Sequence, residues 1–109
     1  EYIQPIFQPI VHLRTMRTVG FEVLARWTDA ELGQVSPEEF VPAAQAKSLL
    51  AIMTYNLIRT ACSVASGWPG TFYLAFNVPP SLLQDPQTMD LMSDAVAETG
   101  FAFERVRVE

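Results

Sequence analysis

The feature that most limits the folds open to this chain is its order of predicted elements: a hairpin, then alternating helices and strands. Two β-prone runs, 3–13 and 18–27, are separated only by RTMR, which predicts a hairpin. Pro5 and Pro9 donate no backbone hydrogen bond, so the first run should be an edge strand. The later predicted elements are a helix from Ser36 to about Lys47, a helix over 49–66, a strand over 71–78, a helix over 87–99 and a strand over 104–109. Because a helical crossover joins parallel strands, this order predicts an α/β sheet or part of a barrel.

Each of the later strands, and the second strand of the hairpin, has one apolar face and one face with polar groups. Side chains alternate across a strand, so residues two apart share a face. The polar groups are Glu22 and Arg26 in the second strand, Asn77 in the third, and Arg105, Arg107 and Glu109 in the last. The apolar faces require helices to cover them, and three helices are predicted.

If the polar faces meet, Glu22, Asn77 and Glu109 would bring two carboxylates and an amide oxygen to one place. Such oxygen ligands suit Mg²⁺ or Mn²⁺, and the lack of a histidine or cysteine beside them argues against zinc. Arg26 would point its guanidinium at a phosphate or carboxylate. Spacing alone leaves a second interpretation open, in which Glu22 and Arg26 are the solvated side of an antiparallel sheet and Asn77 is a turn residue.

Charge and hydropathy exclude several classes of function. The formal net charge is −5 and the seven basic residues form no run, which argues against binding to a nucleic-acid polymer. The sequence contains no run of about 18 apolar residues, so it predicts no membrane span. The single cysteine, Cys62, lies in a helical stretch and is predicted to be a reduced, buried thiol, which fits a cytoplasmic setting. The strand-like ending ERVRVE suggests a piece of a larger domain.

Four segments carry a specific resemblance in the correct order. They are FQPIVHLRTMRTVGFEVLARW, GQVSPEEFVPAAQ, FNVPPSLL and the terminal VRVE. Together they resemble the first part of the EAL domain, the bacterial cyclic di-GMP phosphodiesterase family. The resemblance implies an α/β fold that is the N-terminal portion of a modified (β/α)₈ TIM-type barrel. Residues 1–109 would then be a partial EAL domain that stops before the second half of the barrel.

The same resemblance implies roles for individual residues. Glu22, Asn77 and Glu109 match ligands of the catalytic Mg²⁺ or Mn²⁺ ions. The matches to positions that touch cyclic di-GMP are Gln8, Leu24 and Arg26, with Arg26 on a phosphate. In the family, two metals activate a water that opens one phosphodiester and yields linear pGpG.

Departures from the family pattern are small within the matched segments. Val23 replaces the signature alanine and Pro79 replaces a usual serine, and neither change removes a ligand. The family's tandem aspartates and catalytic lysine have no counterpart within residues 1–109. We therefore expect this chain alone to be inactive, and we identify no general base in it.

Two alternatives to catalysis follow from the sequence. A degenerate EAL module would bind cyclic di-GMP or a partner protein without hydrolysis, and an unrelated α/β interaction domain would use the polar strand residues structurally. A partial barrel exposes a strand edge and apolar surface, so we also expect a homo-oligomer that pairs through strand 104–109 or the bare sheet face. The family implies GGDEF or sensory domains elsewhere in the parent chain.

Overall fold

The computed structural model describes residues 2–29, 33–35 and 47–109. Five strands form one sheet and three helices accompany it in this part of the chain. The strands are β1 (Tyr2–His12), β2 (Arg17–Asp29), β3 (Gly33–Val35), β4 (Tyr73–Phe76) and β5 (Val106–Val108). The helices are α1 (Lys47–Ala65), α2 (Pro80–Leu83) and α3 (Pro86–Thr99). None of them is long and apolar enough to cross a membrane, within the described ranges.

The sheet confirms the predicted hairpin and the predicted parallel strands. Its order is β1–β2–β4–β5, and β3 pairs with the carboxyl end of β2. β1 and β2 are antiparallel, whereas β2–β4 and β4–β5 are parallel. β1, which contains Pro5 and Pro9, pairs only with β2 among the described strands, as the prolines predict. Pairing of strand 104–109 with a second copy stays a prediction.

The structure differs from the sequence analysis at three short elements. The strand β3 and the short helix α2 were not predicted. Pro80 is the first residue of α2, where its fixed φ favours a helical turn. The strand predicted over 104–109 begins only at Val106, after a 3₁₀ turn over Phe103–Arg105. The helix predicted from Ser36 lies outside the described residues except at Lys47, where α1 begins.

The core lies between one face of the sheet and the helices. This outer face bears Val23 on β2 and Leu74 and Phe76 on β4, which are 2%, 0% and 1% exposed. Helices α1 and α3 cover it with the buried side chains Ile58, Ala61, Cys62, Ala65, Met92, Ala95 and Val96. Burial of each large apolar side chain contributes about 1.5–3 kcal/mol, so this layer holds the strands in register.

Helix α3 has well-defined ends that come from its sequence. The side chain of Asp85 accepts a hydrogen bond from the backbone N–H of Gln87 at 3.0 Å, and Pro86 follows at the first helical position. Gly100 ends the helix at φ 76°, in the left-handed region that glycine adopts readily. Its partner helix α1 is joined to it by the Tyr55 hydroxyl, which donates to Glu98 at 2.7 Å.

Arg105 ties the start of β5 to the loop before β4. Its Nε donates to the backbone oxygen of Phe72 at 2.7 Å and its Nη2 donates to that of Gly70 at 3.1 Å. The guanidinium also lies 4.6 Å and 4.7 Å from the ring centroids of Phe72 and Phe101. Residues 103–105 form a 3₁₀ turn rather than the predicted strand, and these contacts hold the last residue of that turn.

The inner face of the sheet bears Gly20 and Glu22 on β2 and Tyr73, Ala75 and Asn77 in and after β4. Gly20 is buried and is the strand partner of Tyr73. A Cβ placed on Gly20 would lie 2.8 Å from three atoms of the Tyr73 ring. Only a residue without a side chain allows this close approach of ring and backbone.

We predict that Gly20→Ala lowers the free energy of unfolding of the intact protein by about 1–3 kcal/mol, because the new methyl group overpacks against Tyr73. Gly67→Ala is the matched control, since the nearest atom to its Cβ is 3.8 Å away. The control should stay within about 0.5 kcal/mol of wild type. Chemical denaturation measures both, and equal losses in the two variants would contradict the packing argument.

The buried Cys62 thiol predicts a pH dependence. Burial raises the pKa of Cys62 from its ordinary value of 9.0 to about 11. Below pH 9 the thiol keeps its proton in both the native and the unfolded state. Between pH 9 and about 11 the unfolded thiol ionises first, so the free energy of unfolding should fall as the pH rises through this window. The fall should be smaller in Cys62→Ala, measured by denaturation of both proteins at each pH, and identical slopes would contradict the burial of the thiol.

Candidate functional site

Glu22 and Asn77 are in direct contact on the inner face. The Asn77 side chain donates from Nδ2 to Oε2 of Glu22 at 2.9 Å. Glu22 is half-buried within β2, and Asn77 is exposed immediately after the last residue of β4. Two residues that lie 55 positions apart in the chain therefore meet.

The register of β2 and β4 explains this contact. Glu22 is the partner of Ala75, so Asn77 lies one pleat further along β4 on the same face. Diagonal neighbours of this kind are within reach of long polar side chains. Ala75 is 0% exposed and has only a methyl group, which leaves room above it for the Glu22 side chain to reach Asn77.

Glu109 lies beside Asn77 on the neighbouring strand. Its backbone N–H donates to the oxygen of Phe76 at 2.9 Å, and its backbone oxygen accepts from the N–H of Val78 at 3.2 Å. These two bonds flank Asn77, so Glu109 continues the parallel register of β4 and β5 by one residue. Strand neighbours in register present their side chains to the same face. Asn77 and Glu109 thus both follow the carboxyl ends of parallel strands.

The remaining candidate residues share the face of Glu22. Gln8 on β1 is the strand partner of Glu22, and Leu24 and Arg26 follow Glu22 at intervals of two along β2. Gln8 and Arg26 are exposed, and Leu24 is half-buried. The register therefore places all of them on the inner face with Glu22.

The donor set fits a hard divalent cation. The bond between Asn77 and Glu22 uses the amide nitrogen and one carboxylate oxygen, so Oδ1 of Asn77 and Oε1 of Glu22 keep their lone pairs. With the carboxylate of Glu109 in the next strand position, the set consists of oxygen atoms only, which Mg²⁺ and Mn²⁺ prefer. In the described part of the chain, no three Asp, Glu, His or Cys side chains gather as a metal centre.

Two further residues on the inner face were not singled out from the sequence as functional. The Arg107 guanidinium carbon lies 3.8 Å from the ring centroid of Tyr73. The alternation of side chains places Tyr73 on the face of Asn77 and Arg107 on the face of Glu109, so the sequence alone could have assigned both residues to the inner face. Which way the long side chains turn depends on their neighbours across the sheet, and this could not be inferred.

A separate cavity of about 500 Å³ lies at the amino ends of β2 and β4. Its lining comes from the hairpin side of β2 and from the loop between α1 and β4, namely Thr18, Val19, Phe21, Trp68, Pro69, Gly70, Thr71 and Phe72. Trp68 packs edge-on against Phe7 and Phe21, with ring centroids at 4.7 Å and 5.3 Å. None of the described residues that line this cavity carries a carboxylate, and the cavity lies at the opposite end of the strands from Asn77.

Comparison with known proteins places this chain in a family. The family model described as EAL domain matches residues 2–109. The chain is 34% identical over 92 residues to the probable cyclic di-GMP phosphodiesterase PdeG of Escherichia coli. The aligned region covers 81% of this chain and 18% of that protein. The chain spans between 12% and 36% of the length of three further curated relatives that it matches.

Solved structures show the same fold. The PaMucR phosphodiesterase, in a c-di-GMP complex, superposes with a TM-score of 0.85 at 19% identity, over 97% of this chain and 44% of that one. BlrP1 of Klebsiella pneumoniae, in a manganese and cyclic diGMP complex, gives a TM-score of 0.74 at 26% identity, over 99% of this chain and 27% of that one. The chain belongs to the EAL domain family, and its hairpin, parallel strands and covering helices have the fold of the N-terminal portion of that TIM-type barrel.

Proposed function

We propose that the intact protein is a phosphodiesterase that hydrolyses cyclic di-GMP to linear pGpG with Mg²⁺ or Mn²⁺ as cofactor. The observation that carries the proposal is the 2.9 Å contact between Asn77 and Glu22, which joins two of the three candidate metal ligands. The names of the relatives, and the manganese and cyclic diGMP complex of BlrP1, support the same activity and cofactor.

Glu22, Asn77 and Glu109 would hold the cation. When bound, such a cation lowers the pKa of water and stabilises negative charge on phosphoryl oxygens. The two carboxylates supply the negative charge that attracts it, and the Asn77 amide oxygen adds a neutral ligand. The hydrogen bond from Asn77 orients the Glu22 carboxylate before any ligand arrives, which reduces the ordering needed on binding.

Arg26, Gln8 and Leu24 would contact the cyclic dinucleotide. A guanidinium can donate two parallel hydrogen bonds to a phosphate, so Arg26 suits a phosphate of the substrate. It lies four residues from Glu22 on the same face of β2. Gln8 and Leu24 lie on the same face and offer a polar and an apolar contact.

We further propose that residues 1–109 alone do not catalyse the reaction. A water nucleophile needs a group that accepts its proton. Lys47 is the only lysine of the chain, and it begins α1 rather than standing on a strand of the inner face. The residues that complete the site would come from the part of the barrel that this chain does not contain.

Glu22→Gln tests the metal role most directly. The change keeps the size of the side chain and an oxygen that can accept from Asn77, but it removes the charge. We expect kcat/KM for cyclic di-GMP to fall at least about 100-fold, because several kcal/mol of charge stabilisation are lost. Release of pGpG by the intact protein, with Mg²⁺ or Mn²⁺ added, is measured by chromatography.

Glu104→Gln is the matched control, since it makes the same charge change at an exposed residue of the 3₁₀ turn. It should retain wild-type activity. Activity of Glu22→Gln within about threefold of wild type would refute the metal role. An intact protein that binds cyclic di-GMP without producing pGpG would instead indicate the non-catalytic EAL module.

Arg26→Met tests substrate contact separately from metal binding. Loss of charge-assisted hydrogen bonds worth about 1.5–3 kcal/mol should weaken cyclic di-GMP binding by roughly tenfold or more. Mn²⁺ affinity in the absence of nucleotide should change little. Arg14→Met, at the exposed hairpin turn, is the control and should bind the dinucleotide normally. Unchanged dinucleotide binding in Arg26→Met would remove this residue from the proposed site.

A further inference from the structure

Arg107 lies in the same row of the inner face as Glu22. Both are strand partners of Ala75, one on each side of it. Neighbouring strands lie about 4.8 Å apart, so the backbones of Glu22 and Arg107 are separated by about 10 Å with only the Ala75 methyl group between them. Glu109 is two residues beyond Arg107 on the same face. An arginine side chain at this position is long enough to reach toward either carboxylate.

The guanidinium stacks on an aromatic ring and pairs with neither carboxylate, in the part of the chain that the structure describes. Its carbon lies 3.8 Å from the ring centroid of Tyr73, a cation–π contact. Tyr73 precedes Ala75 by two residues, so this contact draws the guanidinium toward the amino ends of the strands and away from Asn77 and Glu109. Among the described residues, Arg107 forms no ion pair with Glu22 or Glu109.

The absence of a side chain at Gly20 makes room for the Tyr73 ring. The ring packs on the backbone of Gly20, so closely that a Cβ there would lie 2.8 Å from ring atoms. Gly20 is on β2, Tyr73 on β4 and Arg107 on β5, so the three residues form a stack across three adjacent strands. This stack lies in the layer next to the candidate metal ligands.

We propose that Tyr73 is a positioning residue of the candidate metal site, because it holds the Arg107 guanidinium off the Glu22 and Glu109 carboxylates. A guanidinium and a divalent cation compete for the same oxygen lone pairs, since both bind carboxylates through them. With the guanidinium stacked on the ring, the carboxylates stay available to the cation. This inference rests on the proposed function, in which these carboxylates bind Mg²⁺ or Mn²⁺.

The test measures Mn²⁺ affinity of the intact protein without nucleotide, by calorimetry or by the electron paramagnetic resonance signal of free Mn²⁺. Tyr73→Leu removes the ring and should weaken Mn²⁺ binding by about tenfold, because the guanidinium then pairs with the carboxylates. Tyr73→Phe keeps the ring and should bind within about twofold of wild type. The double variant Tyr73→Leu with Arg107→Gln removes the competing cation and should regain wild-type affinity within about twofold.

The double variant separates positioning from a packing defect. If Tyr73→Leu acted only by loosening the sheet, removal of Arg107 would not restore Mn²⁺ binding, and that result would overturn the inference. Unchanged affinity in Tyr73→Leu would overturn it as well. In both cases the proposed function stands if wild type binds Mn²⁺ and Glu22→Gln does not. Absence of Mn²⁺ binding by wild type overturns both proposals.

Arg107→Gln alone provides a test that does not depend on the folding of Tyr73→Leu. If the guanidinium is already held on the ring, its removal should change Mn²⁺ affinity by no more than about threefold. An increase of tenfold or more would mean that Arg107 competes with the cation in the wild-type protein, which contradicts the inference. Circular dichroism of each variant shows whether it is folded.

Discussion

Val23, Leu74 and Phe76 are almost fully buried on the outer face of the sheet, where helices α1 and α3 cover them. This burial fixes which face of β2 and β4 points outward. A shift of one residue in either strand would expose its apolar side chains and bury its polar ones, at a cost of several kcal/mol. The positions of Glu22 and Asn77 on the inner face therefore depend on apolar packing on the other side of the sheet.

The inner face is organised by side-chain size as well as by polarity. Ala75 and Gly20 are the small residues of this face, and each makes room for a larger neighbour. The small methyl group of Ala75 leaves room for Glu22 to reach Asn77. Because Gly20 has no side chain, the Tyr73 ring packs on its backbone, and the Arg107 guanidinium stacks on that ring. The small residues thus decide which larger side chains of the inner face come into contact.

Membership of the EAL domain family gives this arrangement its functional context. In TIM-type barrels the chemistry takes place at the carboxyl ends of the strands. Asn77 and Glu109 directly follow β4 and β5, which is where such a site is expected. The aromatic cavity beside Trp68 lies at the amino ends, where barrels of this type use conserved contacts for stability.

The sequence by itself determined the hairpin, the alternation of helices and strands, the two faces of each strand and the likeness to the EAL family. These properties follow from the spacing of apolar residues and from local motifs, both of which are contained in the order of residues along the chain. The sequence did not predict three short elements, namely β3, helix α2 and the 3₁₀ turn at Phe103–Arg105, because they are too short to show a period of apolar residues. In the 3₁₀ turn, Arg105 is held by the backbone oxygens of Phe72 and Gly70. Only the tertiary structure decided that Asn77 donates to Glu22 and that Arg107 stacks on Tyr73. Both contacts depend on the register between strands that are distant in the sequence and on the space beside Gly20 and Ala75. Neither the register nor this space is set by residues that are neighbours in the chain.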